Sequence, residues 1–124
     1  MELREWLVLH VKHKDAYAKR LTGVREDGER VVFSYKDGDV IGYALEQLRP
    51  VQGKALVATL QRKENIEELI KNWAAYARNP DLTIIFVNPA KNERWSIKPA
   101  LHQSIADGDI GQGIWSLAAE VTHV

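Results

Sequence analysis

The residues best suited to chemistry lie in one stretch, Asn88-Pro89-Ala90-Lys91-Asn92-Glu93-Arg94-Trp95-Ser96-Ile97-Lys98, with His102 close behind. Lys91, Arg94 and Lys98 against Glu93 give it a local charge of +2. The stretch follows Leu82-Thr83-Ile84-Ile85-Phe86-Val87, the best strand in the chain, and in open α/β sheets ligands bind beyond the carboxyl ends of strands. Asn88, Lys91, Trp95, Lys98 and His102 are therefore the candidate ligand-binding set, suited to an anionic or aromatic ligand. The competing reading is a surface loop whose Trp95 fills core and whose lysines are solvated.

Other clusters carry less. His10 and His13 stand three apart, which brings two imidazoles together on a helix. A metal site needs a third or fourth ligand, and only His102 and His123 remain, so no metal and no cofactor is expected. Asp37-Gly38-Asp39 and Asp107-Gly108-Asp109 look like fragments of calcium loops but lack the remaining oxygen ligands, and read instead as a hairpin turn and a helix cap. Gly108, Gly111 and Gly113 precede a helix without the lysine of a phosphate loop, and with acids that repel phosphate. No nucleophile elbow surrounds any serine.

The elements that must position these residues are legible in the apolar spacing. Leu3, Trp6, Leu7, His10 and Val11 favour a helix at the start over the alternating strand pattern that also fits. Val31–Tyr35 and Val40–Leu45, joined across Asp37-Gly38, predict a hairpin. A further strand over about 17–25 precedes it, completing an antiparallel meander. Ala55–Leu60, a helix over Asn65–Arg78 and the strand Leu82–Val87 form a strand-helix-strand crossover. Ile66, Leu69, Ile70, Trp73 and Ala77 make that helix's stripe, with Asn65 and Glu68 placed as a capping box. A short helical segment over 100–106 and a last helix from Ile110, with Asp109 and Gln112 as a second capping box, complete the chain. The expectation is an α+β fold in one compact domain over residues 1–124, with a mixed sheet of about five strands packed by helices that include both termini.

The order helix, strand meander, helix, strand resembles the core of the PD-(D/E)xK nucleases over residues 1–87. That resemblance implies a magnesium-dependent hydrolase. Asp39 would match the acidic residue of the second core strand. Gln61-Arg62-Lys63 would stand where Glu-x-Lys holds the metal and polarises water, with Gln61 in place of the carboxylate. A neutral amide weakens such a metal site, because hard cations prefer carboxylates.

Seventeen Lys and Arg balance seventeen Asp and Glu among 124 residues, which excludes a globally basic nucleic-acid binder and a polybasic membrane-surface protein. Zero net charge also favours a homo-oligomer, since self-repulsion is absent. Residues 1–25 nevertheless hold six basic and three acidic side chains, and residues 100–124 hold three acids and no Lys or Arg. The basic N-terminal half is thus a candidate for phosphate contacts, or for pairing with the acidic tail within the fold or across a dimer. There is no cysteine, so disulfides and thiolate metal sites are excluded and no oxidising compartment is needed. The acidic start and the short apolar run Trp6–Leu9 fit neither a signal peptide nor a membrane span, so a cytoplasmic protein is expected. The leading expectation is a non-catalytic binding or interaction module. The alternatives are a small hydrolase using Asp39, Gln61 and Lys63, and nucleic-acid binding through the basic half.

Overall fold

The computed structural model describes residues 1–105 and 107–124. The opening stretch is helix α1 (Leu3–Lys14), with Leu3, Trp6, Leu7 and Val11 as its buried stripe. Lys12, His13 and Lys14 in its last turn complement the negative end of the helix dipole. Strands β1 (Leu21–Asp27), β2 (Arg30–Tyr35) and β3 (Gly38–Leu45) form the antiparallel meander. Gly28, at φ +62°, supplies the left-handed residue of the first turn, and Gly38, at φ +134°, opens β3 after the second.

Strand β4 (Ala55–Leu60) lies parallel to β3, and β5 (Leu82–Asn88) lies parallel to β4. The crossover between β4 and β5 is not one helix but two, α2 (Lys63–Lys71) and α3 (Trp73–Ala77), broken at Asn72. A sixth strand, β6 (Glu93–Ile97), returns antiparallel along β5. A 3-10 turn (Pro99–His102) and helix α4 (Asp107–Ala118) follow. The fold is α+β, and the mixed sheet has the order β1-β2-β3-β4-β5-β6.

Alternation along the strands divides the core in two. Val31, Phe33, Ala58, Leu60, Ile85 and Val87 pack beneath α1. Val57, Ile84, Phe86, Trp95 and Ile97 pack on the opposite face with the stripes of α2, α3 and α4. Gly42 permits the close approach of α1: a Cβ there would lie 2.7 Å from the Phe33 ring and 3.2 Å from Leu7 Cδ2. No described helix is long and apolar enough to cross a membrane.

Both expected capping boxes are corrected. Helix α2 begins at Lys63, so Asn65 lies inside it and is buried. Its Oδ1 accepts from Leu48 N, and its Nδ2 donates to Glu46 O and Leu60 O. Asn65 therefore fastens the β3–β4 connection to the end of β4, and gives the buried Leu48 N–H its partner. Helix α4 begins at Asp107, which places Asp109 within it and not before it. Of the helical segment expected over 100–106, the 3-10 turn covers Pro99–His102, and Ala106 lies outside the described residues.

Candidate functional site: a cationic cleft beneath the first helix

The β5–β6 hairpin disperses the five residues singled out after Val87. Asn88 pairs with Glu93 and Ile84 with Ile97, so the chain turns back at once. Lys98 thus lies near the level of Thr83, five residue steps from Asn88, or about 16 Å along the sheet. Asn88 and Lys91 remain at one end, with Asn88 Oδ1 accepting from Lys91 N and Asn88 Nδ2 donating to Thr122 O. Lys98 borders a separate hollow with Lys54, Pro80 and Asp81, and His102 ends the 3-10 turn beyond it. Trp95, midway, is 8% exposed and stacks on Phe86, with ring centroids 4.4 Å apart. Its Nε1 donates to Gln61 Oε1 at 2.8 Å.

Asp39, Gln61 and Lys63 are not gathered either. Ile41 is level with Ala55 across the parallel pair, so Asp39 stands at the starting end of the sheet and Lys63 follows the finishing end. Seven residue steps separate the levels of Asp39 and Leu60, about 23 Å at ~3.3 Å per residue. One magnesium ion, which binds its ligands at about 2 Å, cannot join them. Gln61 is fully buried, and its Nε2 donates to Ala118 O and Val121 O while its backbone carbonyl accepts from Val124 N. It anchors the chain after α4 to the end of β4.

What the fold does bring together is the end of α1 and the far strand. Arg94 and Ser96 point to the α1 face because Trp95 and Ile97 point away from it. A cleft of about 420 Å³ opens there. Its floor is Leu56, Thr83, Ile85 and Ser96, from strands that α1 leaves partly uncovered. His10, Val11 and Lys14 form one wall, and Tyr35, Asp15 and Arg20 close another side.

The charges of this cleft are of two kinds. Asp15 is committed: its two oxygens accept the backbone N–H groups of Arg20 and Leu21, each at 2.9 Å. Arg20 is committed to Asp37, whose carboxyl it holds below the usual range. Lys14 and Arg94 have no ionic partner among the described residues. His10 lies between them and stays neutral near pH 7. Burial, and then the charges of Arg94, Lys14 and His13, lower its pKa from 6.5 to about 4. Its ring stacks on Trp6 at 4.8 Å, and Trp6 Nε1 donates to Asn92 Oδ1 at 2.9 Å. Asn92, at φ +52°, sits in the β5–β6 turn, so this bond fixes the turn against α1. Burial, and then the nearby Asp15, raise the Tyr35 pKa, which keeps its hydroxyl protonated and able to donate.

From the sequence, His10 reads as part of the first helix's stripe or as a metal ligand, and Arg94 as part of a charged loop. The basic head and the basic loop after β5 are each visible as charge. Their meeting, through Lys14 and Arg94, depends on the hairpin that turns Arg94 toward α1. The remaining described ion pairs of the head run to Glu26 and Asp37, and none joins it to the acidic tail among the described residues. No three described His, Asp or Glu side chains gather as a metal site. Comparison with protein-family models, curated proteins and solved structures finds no match to this chain.

Proposed function

We propose that this chain is a cytoplasmic, one-domain binding module for a small anion that carries an apolar or flat group. The observation that supports this reading is the pair Lys14 and Arg94, two cations without described partners at the wall of a cleft whose floor is largely apolar. Small-molecule sites have this form: a concave apolar surface and a few convergent polar groups, within about 300–1,000 Å³. Arg94 offers a planar fork suited to phosphate or carboxylate, and Lys14 adds a mobile point charge. Neutral His10, Ser96 and the Tyr35 hydroxyl supply hydrogen bonds without further charge. Binding is favoured over hydrolysis because Asp39 and Lys63 stand at opposite ends of the sheet.

The test is an amide-resolved NMR titration with phenyl phosphate, an aromatic monophosphate. Shifts concentrated at His10, Lys14, Tyr35, Arg94 and Ser96, lost in Arg94→Ala, are the expected result. Shifts scattered over the surface, or an Arg94→Ala variant that binds equally well, would overturn the reading.

A further inference from the structure

Lys14 and Arg94 are not confined to one cavity. A second cleft, of about 480 Å³, adjoins the first on the outer side of α1. Met1, Trp6, Leu9, Pro89 and Asn92 line it, and it shares His10, Lys14 and Arg94 with the first. The two clefts therefore meet at one cationic boundary. The first adds Thr83, Ser96 and Tyr35 to it. The second adds Leu9, Pro89 and His13, with the Trp6 indole stacked on the His10 ring at its edge.

A ligand whose charge lay at one end would use the boundary and one cleft, leaving the other empty. We propose that the ligand carries its anionic group internally, as a phosphodiester or pyrophosphate linking two flat arms, one arm in each cleft. This rests on the anion-binding reading above and deepens it. The phosphate would lie against Arg94 and Lys14. One arm would rest on Leu56 and Thr83, and the other on Leu9 and Pro89. A flat arm suits the first cleft because base-like rings stack on aromatic side chains, here Tyr35, and in the second it covers apolar surface. The two cations balance the two charges of a pyrophosphate linker and outnumber by one the single charge of a phosphodiester.

The experiment compares four probes by calorimetry with the full chain: inorganic phosphate, adenosine monophosphate, a dinucleoside monophosphate and a pyrophosphate-linked dinucleoside. At least one linked compound should bind about tenfold or more tightly than adenosine monophosphate. Leu9→Asp, at a half-exposed position that only the second cleft uses, should remove most of that gap. Its fold is checked by an unchanged melting temperature. Arg94→Ala should weaken both linked compounds. Whichever linked compound binds better supports the proposal and identifies the linkage. Equal binding of adenosine monophosphate and both linked compounds, or a gap that survives Leu9→Asp, overturns this inference and leaves the single-cleft reading standing. If no probe binds, both fall.

Discussion

On the face covered by α2, α3 and α4, buried polar side chains are tied to specific backbone groups. Gln61 holds two carbonyls and the Trp95 indole, Asn65 holds the β3–β4 connection, and Asn88 holds Thr122. Among the described residues, only the Trp73 indole N–H is buried there without a partner. On the α1 face one helix covers the sheet, the strands toward β6 are left open, and Lys14 and Arg94 stand without ionic partners among the described residues. Polar groups buried beneath three helices are mostly satisfied, because an unpaired buried group costs about 1–3 kcal/mol. A single helix leaves charges at its margin, where water satisfies them. Polar residues thus mean different things on the two faces: fastening on one, availability on the other.

The strongest way to break this contrast is Gln61→Ala. It strands the Trp95 N–H and the two carbonyls near the end of α4, and is expected to cost about 3 kcal/mol. Chemical denaturation should show that loss, while phenyl phosphate still binds the α1 face of the folded fraction. Gly42→Ala tests the α1 face in its packed part. The new Cβ would meet the Phe33 ring at 2.7 Å, for an expected loss of about 2 kcal/mol by the same measurement. Arg94→Ala should reverse the pattern, with about tenfold weaker phenyl phosphate binding and a melting temperature close to that of the parent.

Smaller still is the contribution of His10 to pH dependence. Its folded pKa of about 4 lies below the ordinary 6.5, so between those values the unfolded chain binds more protons. Stability from this group is full above pH 6.5 and declines as pH falls toward 4. Discounted for the solvent-screened part of the ring, the effect is about 1 kcal/mol. Denaturation at several pH values should show it, and His10→Phe, which keeps an aromatic ring on Trp6, should flatten that component. A bound anion would instead favour protonated His10, so affinity should rise as pH falls through the same range. Lys98→Ala should do least, changing stability by less than about 0.5 kcal/mol and leaving phenyl phosphate binding intact.

The fold was largely legible because it rests on periodicity. The β2–β3 hairpin follows from Asp37-Gly38 between two apolar runs and the strand-helix-strand order from its periodicity, whereas the spacing of the first stretch fits a strand as well as the helix α1. Strand β6 was not, since five residues between Pro89 and Pro99 look like a loop until β5 supplies their ladder. Read as one loop, Asn88 through His102 converge; the returning strand instead spreads them along the β5–β6 hairpin and turns Arg94 toward α1, which carries Lys14, 80 positions earlier. The role of Asn65 was hidden for a related reason. Its partners at Glu46 and Leu48 are 19 and 17 residues away, whereas a capping box is a local pattern.

The strand order of the sheet is also the order of the chain. Each strand pairs with the next strand in sequence, so the antiparallel ladders close across short turns, while the β4–β5 ladder closes only across α2 and α3. During synthesis the sheet can grow one strand at a time from β1. The bonds from Gln61 to Ala118, 57 residues on, must wait until the chain is nearly finished. At every stage the newest strand presents an open ladder, filled in turn by the next segment made, until β6 leaves the last one facing outward.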